Sequence, residues 1–261
     1  ALRESDFVKN LSESLGLPCV CEKRTVHTDK NASRTCLQEA ARTVRYRFFS
    51  DVLTRCGAQK LALGHTMDDQ AETVLMRLLR GASTPGLGGI PPVREGGIVR
   101  PLINVRRSDV ERFLQDRCID FVPDTSVHEP QYLRNRIRHE LIPMLAQQYN
   151  PRVIEALCTT ADLARDDETL LQDAAADIAR TALQPCNGTL HIPVKLLEDH
   201  PALAGRIVRR CVELLNGSCR GLTSLHTEAV LKLLKCTGSN KQIPLTGGLV
   251  ARREYDTLFM G

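Results

Sequence analysis

The sequence predicts an α/β fold: a parallel twisted sheet flanked by helices, followed by a mostly helical domain. Three observations predict it. Short apolar strands alternate with longer amphipathic helices through the first half of the chain. A Gly- and Pro-dense segment, GASTPGLGGIPP at 81–92, interrupts that alternation as a loop long enough to be functional. Asn150 and Pro151 then break the pattern ahead of a long helical run.

Residues 3–15 place Phe7, Val8, Leu11 and Leu15 at helical spacing, and Gly16 with Pro18 ends the helix. Residues 19–26 read as a strand. A helix over 35–53 carries Leu37, Ala40, Ala41, Val44, Phe48 and Val52 at helical intervals. The apolar strand KLALG at 60–64 runs into a helix over 68–80 whose buried face is Ala71, Val74, Leu75, Leu78 and Leu79. A strand over 98–105, a short helix over 108–117, an irregular stretch at 123–130 and an arginine-rich helix over 131–145 complete the first unit. Strands joined by helices favour a parallel sheet covered on both faces. Beyond the break, helices are expected over 153–183, 201–215 and 224–234, with a brief strand at 190–193. A hairpin-like tail over 242–259 turns at Gly247 and Gly248. The domains expected are 1–148, 151–240, and a tail at 241–261 that either closes the second domain or opens a further one.

At 261 residues the chain can hold two modest cores, and 42% hydrophobic with 25% charged residues excludes a disordered or fibrous chain. No stretch is apolar enough to span a bilayer, so no membrane partner is expected. A net charge of +4 discriminates little; where the arginines fall matters more. The ten cysteines are scattered. Only Cys19 and Cys21 are close, and no C-x-x-C pair points to zinc or an iron–sulfur cluster, so most are expected to be small core fillers. The chain opens on Ala1 without a charged-then-apolar leader, so no secretory signal is read.

Chemistry concentrates in two places. GHTMDDQAET at 64–73 joins the end of a parallel strand to a helix N-terminus, the corner where open α/β sheets bind ligands. It holds His65, Asp68, Asp69 and Glu72, with Asp68 and Glu72 four apart on one helix face. One reading is local: Thr66 caps the helix and Asp69 favours its first turn. The other is functional: carboxylates facing phosphates require a bridging Mg²⁺ or a cationic substrate. The second place is YLRNRIRH at 132–139, where Arg134 and Arg138 share a helix face beside Asn135 and His139. With Arg100, Arg106 and Arg107 they would line a positive surface for phosphate, unless they are a solvated face paired to Glu140.

Together these segments resemble the tRNA(Ile)-lysidine synthetase family of the N-type ATP pyrophosphatase (PP-loop) superfamily. The resemblance runs in order through EAARTVRY at 39–46, GHTMDDQAET at 64–73, RLLRG at 77–81, GLGGI at 86–90, RPL at 100–102 and RNRIRHELIP at 134–143. It covers nearly all of the first 145 residues, and the helical remainder resembles the family's substrate-binding domain more loosely. The sequence departs from the family at three points. The phosphate-wrapping SGGxDS loop is absent, so the nucleotide domain is expected to be incomplete at its N-terminus and this chain alone inactive. Thr66 stands where many members carry a second histidine, and Val127 replaces a common asparagine in the acidic loop at 124–126.

The resemblance implies a sheet of adenine-nucleotide alpha-hydrolase type and a cytoplasmic, AMP-forming ligase. Its partners would be ATP, Mg²⁺, free L-lysine and the isoleucine tRNA with a CAU anticodon; it leaves a homodimer open. ATP would adenylate the C2 carbonyl oxygen of the wobble cytidine, and the lysine ε-amine would displace AMP. His65, Asp68 and Asp69 are then expected to be catalytic, with Asp68 and Asp69 holding Mg²⁺ or lysine. Glu72, Arg80, Arg100, Arg134, Asn135, Arg138 and His139 are expected to bind substrate, tRNA or phosphate. Arg134 and Arg138 in particular are expected on phosphate. With 4% aromatic residues and no Trp, RNA would be gripped by shape and backbone rather than by base stacking. Two alternatives stand beside this: a 2-thiocytidine synthetase type of enzyme, which uses C-x-x-C pairs that are missing here, and a non-catalytic RNA-binding relic.

Overall fold

The computed structural model describes residues 2–26, 34–122, 133–182, 184–186, 188–235 and 241–261. The chain divides into two compact units, 1–162 and 163–261. Among the described residues no helix is long and apolar enough to cross a membrane.

The first unit opens with α1 (Leu2–Ser14) and α2 (Arg34–Cys56). Residues 18–26 form no strand: no neighbour among the described residues pairs with them, and a strand exists only through its ladder. Instead side chains tether the segment, with Arg55 donating to Glu22 at 2.5 Å and Arg24 to Asp51 at 2.8 Å. The sheet that follows is short. β1 (Leu61–Ala62) runs parallel to β3 (Ile98–Val99), and β2 (Val93–Arg94) runs antiparallel to β3, in the order β1-β3-β2. Gly97 sits at φ +76, and a Cβ there would lie 2.3 Å from the Gln59 carbonyl, so the approach of these strands requires glycine. The strand expected to reach residue 105 stops at Val99, because 101–105 fold into turns closed by Ile103 N–H to the Arg100 carbonyl and Val105 N–H to the Leu102 carbonyl.

Beyond β1 the chain enters α3 (Met67–Leu78), and the loop after it contains a single helical turn, α4 (Thr84–Leu87). α5 (Arg107–Asp116) follows. The arginine-rich helix is three pieces in continuous sequence: α6 (Leu133–Arg136), a π-helical turn (Ile137–Leu141) and α7 (Ile142–Gln148). Pro143 explains the wide turn. It has no N–H for the carbonyl four residues back, and its ring crowds that carbonyl, so the helix loosens at 137–141 rather than breaking. Ala71 and Leu75 of α3 pack against Ile137, Ile142, Ile154 and Cys158, a small core that fixes α3 to the arginine-bearing helix. α8 (Val153–Ala182) begins in this unit and its sequence continues into the second.

The second unit carries more sheet than the sequence pattern indicates. β4 (Gln184–Cys186), β5 (Thr189–Pro193), β6 (Gln242–Pro244), β7 (Val250–Glu254) and β8 (Thr257–Met260) form one antiparallel sheet in the order β4-β5-β8-β7-β6. The segment expected as a hairpin tail supplies three of these strands. Leu190 and Ile192 alternate inward on β5, and Leu258 and Met260 on β8. They pack with Ile207, Val208, Cys211 and Val212 of α10 (Pro201–Asn216) and with Val230 and Leu233 of α11 (Ser224–Leu233). α9 (Val194–Asp199) links sheet and helices. Cysteine placement departs from expectation: Cys158 and Cys211 are buried, but Cys19, Cys21, Cys56 and Cys118 are exposed.

Candidate active site

The carboxyl end of β1 delivers His65 and Thr66 to the start of α3, and hydrogen bonds fix this corner. The Thr66 backbone N–H and hydroxyl both donate to Asp69 Oδ2, at 2.8 and 3.0 Å, and the Met67 N–H donates to the Val105 carbonyl at 2.9 Å. Thr66 is therefore the N-cap of α3 and Asp69 closes the first turn back onto it, as the local reading holds. Asp69 also does more. Its other oxygen, Oδ1, accepts from Arg134 at 2.8 Å, Arg107 at 3.2 Å and Arg138 at 3.4 Å.

Glu72 lies one turn along and is 1% exposed. Arg134 Nε donates to its Oε2 at 2.6 Å, while Arg138 donates to Oε1 from Nε at 2.5 Å and to Oε2 from Nη2 at 3.0 Å. The carboxylate corner and the arginine helix thus share one charge network, built over the apolar seam of Ala71, Leu75 and Ile137. Their helical spacing makes this geometry: residues 69 and 72 on α3 and residues 134 and 138 on the partner flank that seam on the same side.

Asp68 faces a second set. Its Oδ2 accepts the Arg107 backbone N–H at 2.7 Å and lies 3.5 Å from Arg106 Nε, and Arg106 Nη1 in turn donates to Glu155 Oε1 at 2.8 Å. Four carboxylates, Asp68, Asp69, Glu72 and Glu155, thereby meet four guanidinium groups, those of Arg106, Arg107, Arg134 and Arg138.

These contacts set the protonation states. Burial acts to raise the Asp69 carboxyl, but the Thr66 N–H, Arg134 and Arg107 outweigh it and hold it below the usual carboxylate range. Burial pushes His65 down, against the pull of Asp69 and with help from Arg100, Arg134 and Arg42, so the ring favours its neutral form. Among the described residues its Nδ1 is buried without a hydrogen-bond partner.

The remaining candidates fall in different places. Arg100 is 4% exposed, with Nη1 donating to the Pro91 carbonyl at 2.6 Å, so it braces the 81–92 loop from beneath rather than lining a positive surface. Arg80 is exposed beyond the end of α3, Asn135 is half-buried and His139 is exposed. Arg134 and Arg138, expected on phosphate, donate here to Glu72 and Asp69 through Nε and Nη2. Tyr132 and the acidic loop at 124–127 lie outside the described residues. Two supporting residues escaped sequence reasoning. Arg77 Nη1 donates to the carbonyls of Gly86 and Gly89 at 2.8 and 2.7 Å, and Gln70 Oε1 accepts the Ile90 N–H at 2.6 Å, so α3 holds the glycine-rich loop. The available signal was the buried polar face of α3, which periodicity assigns only to apolar residues.

Residues 1–145 match the PP-loop domain model, more than half of the chain. The chain belongs to the PP-loop family. Residues 194–259 of this PP-loop chain match the TilS substrate binding domain. It is 36% identical over 261 residues to the tRNA(Ile)-lysidine synthase of Solibacter usitatus, covering 99% of this chain and 57% of that relative. It is 36% identical over 253 residues to the one of Geobacter sulfurreducens, covering 96% and 54%, and 32% identical over 253 residues to the one of Clostridium acetobutylicum, covering 97% and 55%. The chain spans a little over half the length of the curated relatives it matches.

In this arrangement the carboxylates of the corner are engaged by donors of the protein itself. Both Asp69 oxygens and Asp68 Oδ2 already accept from N–H or O–H donors, and among the described residues no group of three or more His, Cys, Asp or Glu could hold a metal ion. Mg²⁺ or lysine at Asp68 and Asp69 would share these oxygens with the donors already on them.

Proposed function

We propose that this chain is the PP-loop and adjoining substrate-binding part of a tRNA(Ile)-lysidine synthase, joining lysine to C2 of the wobble cytidine of the CAU-anticodon isoleucine tRNA. The supporting observation is the shared network of Asp69 and Glu72 with Arg134 and Arg138, a surface matched to an amino-acid zwitterion. Arg134, whose side chain is 39% exposed, takes the lysine carboxylate. Asp69 and Asp68 take its cationic end. Arg80 and His139, which are exposed, and the half-buried Asn135 suit the tRNA backbone.

ATP first adenylates the cytidine C2 carbonyl oxygen with loss of pyrophosphate. The lysine ε-amine then forms the new bond to C2, and the C2–O bond breaks as AMP leaves. The ammonium, with a pKa of about 10.4 in water, must lose a proton before it attacks. His65, kept neutral by burial and with Nδ1 unpartnered, accepts it. Magnesium enters with ATP. A soluble tRNA substrate places the enzyme in the cytoplasm.

A full-length protein containing this chain, incubated with unmodified isoleucine tRNA, ATP and labelled lysine, should put label into RNA with matching AMP release. Sulfur incorporation instead would favour a 2-thiocytidine synthetase type of enzyme. RNA binding with neither product would favour the relic.

A further inference from the structure

We infer that Glu155, in the first turn of α8, is a positioning residue that orients Asp68 through Arg106. The role rests on the lysine-ligating function proposed above. Arg106 is the residue preceding α5, with extended backbone (φ −67, ψ 144), so its backbone is fixed by the helix start while its long side chain is not. Glu155 supplies the missing constraint by accepting Arg106 Nη1 at 2.8 Å from 49 residues away in sequence. A carboxylate in the first turn of α8 also suits the positive end of that helix.

The consequence falls on one atom. Arg106 Nε and the Arg107 N–H both approach Asp68 Oδ2, and Oδ1 has no partner among the described residues. The Arg107 hydrogen bond and the Arg106 ion pair both fall on Oδ2, which leaves Oδ1 to substrate. Without Glu155, the Arg106 guanidinium is free to swing and grip Asp68 through both oxygens, as Arg138 grips Glu72, and Oδ1 is lost to substrate.

In the full-length protein, Glu155→Ala and Arg106→Gln should each lower kcat/KM for lysine roughly 10- to 100-fold, the loss expected when a reacting group is misplaced by about an ångström. Pyrophosphate release in the absence of lysine should stay at the wild-type level. Glu155→Gln, which keeps an oxygen acceptor for Arg106, should recover most of the loss. Adding Glu155→Ala to Asp68→Asn should cost nothing more, whereas a merely structural Glu155 would give additive losses and overturn the assignment. Urea unfolding supplies the reaction-independent arm: Asp68→Asn and Glu155→Ala should be non-additive in stability, and additive in an Arg106→Gln background. If wild-type protein incorporates no lysine, the functional proposal falls, and the relay is decided by unfolding alone. Additivity there contradicts it.

Discussion

Glu72 is the residue on which the site's stability turns. It is fully buried, and its two oxygens accept three bonds from two arginines, so its removal strands guanidinium groups rather than merely deleting a contact. Glu72→Ala should cost about 3–5 kcal/mol in urea unfolding, the range for breaking a buried pair from one side. Arg134→Ala should cost less, because Arg134 is the more exposed arginine and Glu72 keeps Arg138. The corner also has a predictable acid response. Asp69 is held below its ordinary value of 3.8, so its contribution is present above that pH and is lost as pH falls through the lower folded value. The stability gap between wild type and Asp69→Asn should therefore be widest near neutrality and close in acid. His65 behaves differently. The unfolded chain takes its proton near 6.5 while burial keeps the folded ring neutral, so stability declines as pH drops below 6.5, and His65→Gln should remove that decline. Urea midpoints across pH check both.

α3 works as a two-sided bracket. One side carries the acids that meet the arginine helix, and another carries Gln70 and Arg77, which hold the glycine-rich loop. Gly89 lies at φ +62, and a Cβ there would come within 2.4 Å of Gln70 Oε1, so Gly89→Ala combines backbone strain with loss of the Gln70 contact. It should lower stability by about 1–3 kcal/mol and loosen amide-exchange protection across 84–92. The helices themselves were legible in the sequence. Residues 68–80 and 131–145 show the 3.6-residue period, and the structure places helices at Met67–Leu78 and Leu133–Gln148. The π turn was not anticipated, though Pro143 is its visible cause. Neither was the pairing of Arg134 and Arg138 with Glu72, because partners 62 and 66 residues apart leave no periodic trace. Arginine spacing signals an anion without saying whether that anion is phosphate or a carboxylate of the same chain.

The two units differ in how much of each the sequence disclosed. In the first, ordered motifs carried the family, and the match of residues 1–145 to the PP-loop domain agrees with them. In the second, helical periodicity concealed a five-stranded sheet, since β5 pairs with β8 across more than 60 residues and each strand is short. Acids and arginines from segments far apart in sequence neutralise each other in the first unit, and under the proposed function lysine takes places among them. The most direct test is the lysine dependence of AMP release in full-length protein carrying Asp69→Asn, with unmodified isoleucine tRNA and ATP saturating. The half-saturating lysine concentration should rise roughly 10- to 100-fold, the worth of a charge-assisted hydrogen bond, while lysine-independent pyrophosphate release is retained. A folded Asp69→Asn protein whose lysine half-saturation matches wild type would contradict the account.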